Sequence, residues 1–234
     1  MPRRMRSFLP NIPLHVIQRG NNKQVCFYQE RDYVVYLGKL HEYAQKHGVA
    51  INSFVLMTNH VHLLATPSDA LGVCKMMHNL GTYYVRYINS CHNRTGALWE
   101  GRYRASFVES ERYVLTLSKY IELNPVRANM VDHPAKYPWS SFRHNAMGIE
   151  TKLIKAHPAY AALGTSDEER RMRYRELFQH AIPDLTLQNI RDACNKSWVL
   201  GDNSFKKQIE AQLKHPLPPF PRGGDRKSSH RSNS

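Results

Sequence analysis

The sequence has no long hydrophobic run, few cysteines and a shortage of acidic residues. No stretch approaches the ~20 consecutive apolar residues that a membrane-spanning helix needs, so we expect a soluble protein with no membrane partner. The basic residues 1–6 are followed by prolines instead of the apolar core of a signal peptide, which predicts a cytoplasmic location. The four cysteines are scattered without a Cys-x-x-Cys pair, which argues against a zinc knuckle and a disulfide framework.

The shortage of acidic residues leaves a strongly basic chain. Asp and Glu number 19 against 33 Lys and Arg, and the formal net charge is +14. Such an excess favours a polyanionic partner, and nucleic acid is the leading candidate. A merely basic surface or a ribosome-bound protein remains the alternative, because net charge informs about partners and not about fold.

Hydrophobic periodicity predicts the element order β-α-β-β-α-β-α in the first 124 residues. Strands are predicted over 14–19, 49–57 and 61–65, and helices over 29–47, 70–90 and 109–124. Residues 98–108 fit a short hairpin or a loop that leads into a strand. The second and third strands are separated by three residues, which indicates an antiparallel pair joined by a tight turn. This order is typical of the α+β class with a ferredoxin-like antiparallel sheet and helices on one face.

The composition changes after Gly148, where charged helices with shorter apolar runs begin. We therefore predict a main domain over residues 1–148 and a small helical extension over 149–213, with helices at 167–181, 186–196 and 204–213. Residues 214–234 are rich in Pro, Gly, Ser and basic side chains, which predicts a basic disordered tail.

Two short patterns contain residues suited to chemistry. His60 and His62 are two apart on a predicted strand, so both imidazoles face the same side, as two metal ligands would. Tyr120 and Asn124 are four apart on a predicted helix, which presents a phenol and a carbonyl oxygen on one face. On their own, these patterns equally fit two structural histidines at a turn and a half-buried tyrosine with a satisfied hydroxyl.

Five ordered segments together resemble the HUH single-strand transposase superfamily, and within it the REP-associated tyrosine transposases and their insertion-sequence relatives. The segments are HVIQRGN at 15–21, MTNHVHLL at 57–64, LWEGRY at 98–103, YIELNPVRANMV at 120–131 and YPWSS at 137–141. The family usually has Pro where Thr58 stands and Gly where Asn129 stands. Thr suits a turn, and Asn tolerates the left-handed conformation better than most residues.

The resemblance implies a mechanism and a cofactor. His60 and His62 would hold Mg²⁺ or Mn²⁺ with Asn124 as third ligand, and Tyr120 would attack a scissile phosphate to leave a 5′-phosphotyrosine and a free 3′-hydroxyl. Main-domain residues 1–148 would form the nuclease, and the helical extension would help to bind DNA. The resemblance leaves open whether the protein is a monomer or a homodimer.

The implied substrate is single-stranded DNA or a DNA hairpin with a single-stranded foot. The candidate contacts are polar or aromatic residues near the first strand, near the last strand and after the catalytic helix: Arg19, Asn21, Asn22, Arg102, Tyr103, Arg104 and Arg127. Trp99 fits either the core or a stacking platform. Two alternatives remain: a domesticated hairpin-binding protein that no longer cuts DNA, and an RNA-associated binding protein with a ferredoxin-like sheet.

Overall fold

The strand predicted over residues 14–19 forms the centre of the sheet. In the computed structural model, which describes residues 8–196 and 199–213, the sheet order is β2-β3-β1-β4-β5. The strands are β1 (Leu14–Arg19), β2 (Val49–Met57), β3 (His60–Pro67), β4 (Arg104–Val108) and β5 (Val199–Leu200). The neighbours within β1 to β4 pair antiparallel, whereas β5 pairs parallel to β4. The predicted α+β class and its antiparallel centre are confirmed.

The helices follow the predicted order. They are α1 (Glu30–Lys46), α2 (Gly72–Cys91), α3 (Ser110–Glu122), α4 (Asn124–Arg127), α5 (Phe142–Met147), α6 (Pro158–Ala161), α7 (Asp167–Glu176), α8 (Asp184–Lys196) and α9 (Asn203–Leu213). Helix α1 begins at a reciprocal capping box, in which Gln29 accepts from a first-turn backbone N–H and the Asp32 carboxylate accepts from the Gln29 N–H. These caps satisfy backbone donors that a helix start leaves unpaired.

Both faces of the sheet are covered, which differs from the predicted single layer of helices. Helices α1 and α2 pack on one face, where Leu56 and Leu63 join side chains such as Tyr36 and Tyr84. Helices α3 and α8 pack on the other face, where the alternate strand residues meet a second apolar cluster. The sequence prediction missed this second layer because strands buried on both sides lose the alternation of apolar and polar residues.

The helix predicted over residues 109–124 is interrupted at Leu123. Helix α3 ends at Glu122, and the one-turn helix α4 continues from Asn124, with Pro125 in its first turn. Proline is tolerated there because the first N–H groups of a helix have no intrahelical partner. The chain therefore continues as a helical turn beyond Asn124, where the sequence predicted that regular helix would end.

The region after Gly148 contributes to the sheet as well as adding helices. Helices α7, α8 and α9 correspond to the three predicted helices, and β5 extends the sheet beside β4. Helix α8 packs against β1 and β4, so residues of the extension reach the centre of the sheet. The predicted tail, 214–234, lies outside the described residues. Among the described helices, none is both long and apolar enough to cross a membrane.

Candidate active site

A polar pocket of about 420 Å³ opens on the face covered by α3 and α8. Its lining includes the two histidines, the tyrosine and the asparagine singled out in the sequence, together with three of the predicted DNA-contact arginines: His60, His62, Tyr120, Asn124, Arg19, Arg102 and Arg104. The central strands position this set, because Arg19 at the end of β1 pairs with His60 at the start of β3. The pocket therefore unites segments that are far apart in the sequence.

The histidine pair shares one face of β3, as the two-residue period of a strand requires. The two rings are 5.1 Å apart between centroids. Burial, and then the positive charge of Arg19, lowers the pKa of His60 to about 4. Burial first, and then neighbouring charges, hold the pKa of His62 well below its usual value. Both imidazoles are therefore neutral near pH 7, which is the form that binds a metal ion.

Each histidine of the pair is oriented through its Nδ1 atom. The Nδ1 atom of His60 lies 2.6 Å from Asn59 Oδ1 at the β2–β3 turn. The Nδ1 atom of His62 lies 2.8 Å from Nε2 of His15 on the neighbouring strand. These contacts leave the two Nε2 atoms without a hydrogen-bond partner within the described part of the chain. Nε2 is therefore the nitrogen that each ring can offer to a ligand.

His15 continues this contact into the extension. Its Nδ1 atom lies 2.8 Å from the Cys194 Sγ atom of α8, and burial lowers the pKa of His15 to about 3. The thiol remains protonated at neutral pH, because burial raises the pKa of Cys194 to about 12. Neutral rings therefore allow His62 Nδ1–H to donate to His15 Nε2, and His15 Nδ1–H to donate to the sulfur.

Tyr120 faces the same pocket from α3. Its ring lies edge-on to the rings of His15 and His62, with centroids 6.2 Å apart in each pair. The Arg127 guanidinium lies over the Tyr120 ring, 3.8 Å from its centroid. A cation in this position is attracted by the ring electrons and adds positive charge beside the phenol.

Asn124 ties the end of α3 to Arg127. Its amide Nδ2 donates to the backbone oxygens of Tyr120 and Ile121, each at 3.1 Å. Its Oδ1 accepts a 2.9 Å hydrogen bond from Arg127 Nη2. A carbonyl oxygen has two lone pairs, so one remains after this contact.

The side chains of the pocket offer a donor set for a divalent metal ion. Two neutral imidazoles with available Nε2 atoms and one carbonyl oxygen fit Mg²⁺ or Mn²⁺, which also accept water and phosphate oxygens. Within residues 8–196 and 199–213, no cluster of three or more His, Cys, Asp or Glu side chains could hold a metal. A metal in this pocket would therefore need the Asn124 amide or exogenous oxygens beside the two histidines.

The structure puts the predicted DNA-contact residues in four different places. Arg19, Arg102 and Arg104 line the pocket, whereas Arg127 lies over Tyr120 as described above. Asn21 and Asn22 form a short turn after β1, outside the pocket lining. Tyr103 is buried against α2, with its hydroxyl 3.1 Å from Cys74 Sγ. Trp99 also belongs to the core, where its ring stacks on Tyr84.

Several pocket residues had no role in the sequence interpretation. Helix α8 contributes Arg191, Cys194 and Asn195, and Asn195 hydrogen-bonds to Arg104. No local sequence pattern indicated that α8 would reach the pocket, because this helix is far along the chain: Cys194 lies 179 residues from His15. His15 had a usable signal, because the period of two puts it on the same face of β1 as Ile17 and Arg19, which both line the pocket.

Among solved structures, 17 chains match this chain. A REP-associated tyrosine transposase bound to a REP hairpin is 15% identical with a TM-score of 0.53, and the match covers 67% of this chain and 93% of that one. A transposase described as putative, from Deinococcus radiodurans, is 20% identical with a TM-score of 0.36, over 52% of this chain and 96% of that one. Comparison with curated proteins finds no match.

The family comparison covers the segment that builds most of the pocket. Residues 9–124 match the model of the IS200-like transposases. This range contains β1, the histidine pair, Tyr120 and Asn124, and the first structural relative has the same overall fold. The segment from residue 9 to residue 124 is therefore similar to the IS200-like transposases.

Proposed function

We propose that this protein is a metal-dependent endonuclease and strand transferase for single-stranded DNA at repeat hairpins. The observation that carries the proposal is the convergence of Tyr120, His60, His62 and Asn124 in one pocket, with a guanidinium over the tyrosine ring. A nucleophile, neutral nitrogen donors and positive charge are what phosphoryl transfer through a tyrosine requires. A cytoplasmic location is part of the proposal.

Tyr120 is the proposed nucleophile. Its phenol oxygen attacks the scissile phosphorus, the bond from phosphorus to the 3′-oxygen breaks, and a 5′-phosphotyrosine forms. The phenol proton passes to solvent, and the departing 3′-oxygen takes up a proton. Strand transfer reverses these events with the 3′-hydroxyl of a second strand, which frees Tyr120. Because the phosphodiester bond energy is kept in the covalent link, the reaction needs no nucleotide cofactor.

His60 and His62 would hold Mg²⁺ or Mn²⁺ through Nε2, with Asn124 Oδ1 as third ligand. When bound, the ion supplies Lewis-acid stabilisation of charge on the phosphoryl oxygens. His15 keeps His62 in the tautomer with a free Nε2, and Asn59 orients His60 in the same way. Arg127 stabilises negative charge near the phenol oxygen.

The proposed substrate follows from the charge and shape of the pocket. Arg19, Arg102 and Arg104 surround it, so a DNA backbone entering the pocket meets guanidinium groups that match phosphate geometry. A single strand is favoured over a duplex, because a phosphate must reach the buried side chains of Tyr120 and His62. The relative bound to a REP hairpin supports a hairpin as the natural form, and the single-stranded foot follows from the need for an accessible phosphate.

Covalent trapping tests the proposal. Wild-type protein, Mn²⁺ and hairpin oligonucleotides with varied single-stranded feet are expected to give an adduct that resists SDS. Omitting Mn²⁺ or substituting Tyr120→Phe should abolish the adduct. Tyr113→Phe on the same helix is the matched control and should react like wild type.

Two outcomes would overturn the nuclease assignment. One is hairpin binding by the wild-type protein without any adduct, which would indicate a binding protein that does not cut. The other is an adduct that persists in Tyr120→Phe. Competition with RNA hairpins of the same sequence, expected to be weak, separates a DNA enzyme from an RNA-associated protein.

A further inference from the structure

A second cavity, a groove, lies on the opposite face of the sheet from the active-site pocket, between α2 and residues 98–103. Its volume is about 750 Å³, within the range of small-molecule sites. The period of two along β1 separates the two cavities, because Arg19 faces the active-site pocket and Gln18 faces this groove. The groove is therefore a separate cavity.

The groove and the active-site pocket meet at one edge of the sheet. Gly101 and Arg102 line both cavities. Backbone hydrogen bonds hold this segment against the end of β1, from Glu100 N–H to Arg19 O at 2.9 Å and from Asn21 N–H to Leu98 O at 2.8 Å. A nucleic-acid strand with a phosphate in the pocket can therefore turn a neighbouring nucleotide into the groove.

The groove combines apolar walls with two unpaired polar atoms. Met77 and Val85 of α2 supply apolar surface. Gln18 and Trp99 are each more than nine-tenths buried, and Gln18 Oε1 and Trp99 Nε1 have no hydrogen-bond partner among the described residues. Buried polar groups are almost always paired, so an unpaired acceptor and donor at a groove point to a ligand that completes them.

These two polar side chains lie together beside Gly81. A Cβ atom built on Gly81 would be 3.8 Å from Gln18 Nε2 and 3.9 Å from Trp99 Nε1. Both of these nitrogens are donors, and the unpaired acceptor Oε1 belongs to the same Gln18 amide. The Watson–Crick edge of a nucleobase also carries neighbouring donors and acceptors, and its flat ring suits apolar walls.

The charge of the groove selects the class of occupant. Arg86 and Arg102 stand among its lining residues, and no Asp or Glu does. Positive charge beside an apolar slot suits the phosphate and base of one nucleotide, whereas an apolar peptide or a lipid chain would gain nothing from it.

We infer that this groove binds one unpaired base of the DNA strand whose phosphate occupies the active-site pocket. The inference rests on the proposed function for the path of that strand. The base stacks against the apolar wall and hydrogen-bonds to Gln18 and Trp99, so the groove selects nucleotides beside the cleavage position.

Filling the groove tests the inference. In Gly81→Leu the new Cβ atom lies at ordinary contact distance from its neighbours, and we expect the rest of the side chain to occupy the groove. Helix α2 gains helix propensity, so the protein should fold. Gly38→Leu on the exposed side of α1 is the matched control, because nothing lies within 4 Å of its Cβ position. Gln18→Leu removes the amide and keeps a similar side-chain volume.

The measurement is hairpin binding by fluorescence anisotropy, with an abasic site at each position of the single-stranded foot in turn. In wild type and Gly38→Leu, one abasic position should weaken binding about tenfold, the usual size of one base contact. In Gly81→Leu and Gln18→Leu, this penalty at the same position should fall below about twofold, because the base already contributes nothing.

The inference is overturned if the abasic site weakens hairpin binding as much in both groove variants as in wild type. It is also overturned if no abasic position weakens binding by the wild-type protein. Binding of a free nucleoside monophosphate alone, without any abasic penalty in the hairpin, also contradicts it. The binding assay needs no cleavage, so it tests the base site separately from the nuclease activity. If the protein forms no adduct but its abasic penalty still depends on the groove, the nuclease proposal fails and the base site stands. If the protein forms the adduct but the groove variants leave the abasic penalty unchanged, the base site fails and the nuclease proposal stands.

Discussion

His15 Nε2 lies 2.8 Å from His62 Nδ1, so a buried histidine on the central strand orients a proposed metal ligand on the next strand. Behind it, Cys194 of α8 contacts the other nitrogen of His15. Second-layer contacts of this kind set the tautomer and the direction of a metal-binding imidazole. The candidate active site is thus supported by the C-terminal region of the chain.

Replacing His15 should weaken Mn²⁺ binding at the candidate active site more than it lowers the stability of the fold. In His15→Phe the His62 Nδ1–H loses its acceptor, and we expect the Mn²⁺ concentration for half-maximal adduct formation to rise about tenfold to a hundredfold. Saturating Mn²⁺ should restore much of the adduct, and His15→Gln, which retains an acceptor, should be milder. An unchanged Mn²⁺ dependence in a folded His15→Phe protein would contradict the positioning role.

Asn124 has two possible roles that substitutions separate. As a metal ligand it should tolerate Asn124→Asp, whose carboxylate binds Mn²⁺ well, whereas Asn124→Ala should shift half-maximal adduct formation to higher Mn²⁺ concentrations. As an anchor for the end of α3, through the amide N–H groups that both variants lack, it would lower the rate in both variants at unchanged Mn²⁺ dependence. Titration of adduct yield against Mn²⁺ decides between the two, and the second pattern would refute the ligand role.

Arg127 should affect the chemical step. Its guanidinium lies 3.8 Å from the Tyr120 ring centroid, so Arg127→Gln should slow adduct formation at saturating DNA and Mn²⁺ by about a hundredfold. Arg127→Lys should be intermediate, because lysine keeps the charge without the planar fork. Arg112→Gln is the matched control, since Arg112 lies over the Tyr113 ring at 5.6 Å on the exposed side of α3. Equal rates for Arg127→Gln and this control would exclude the role.

Glu122 predicts a pH dependence of stability. Burial raises its pKa from 4.5 to about 7, although hydrogen bonds from Ser141, Asn145 and Tyr174 oppose the shift. Between those values the folded state binds more protons than the unfolded state, so stability falls as pH rises and the loss is complete above pH 7. The full effect is about 3 kcal/mol.

The test compares Glu122→Gln with wild type by urea unfolding at pH 5 and pH 8. The stability of the variant relative to wild type should increase by about 2.5 kcal/mol between the two conditions, because a small part of the full effect lies outside this pH range. The readout is the difference between the two proteins, because wild-type stability also depends on pH through other groups. The buried neutral histidines make stability rise with pH below their usual pKa. Glu176→Gln on the exposed end of α7 should show no such change. A constant difference for Glu122→Gln would contradict the raised pKa.

The sequence alone predicted much of the fold. The bounds of β1 and β2 match the prediction, and the long amphipathic helices α1 and α2 differ from it by two residues or fewer at each end. Local periodicity sufficed there, because each element shows its buried face through the spacing of apolar residues. It did not reveal the helical layer formed by α3 and α8 or the parallel pairing of β5. Those depend on contacts between distant segments.

For the candidate site, spacing determined two pairs and no more. The strand period puts His60 and His62 on one face, and the helix period puts Tyr120 near Asn124. The resemblance brought these pairs together as one site, and their metal and nucleophile roles stay predictions. Spacing did not predict that Arg127 would engage both Tyr120 and the Asn124 oxygen.

What the sequence by itself determined is the set of residues that can share a face within each strand or helix, since backbone geometry imposes those periods. Only the tertiary structure decided that Cys194 would support His15, and that Gln18 and Trp99 would meet beside Gly81. The physical reason is that these neighbours come from elements whose docking is decided by packing of the whole core. No local pattern specifies which distant side chains that packing brings together.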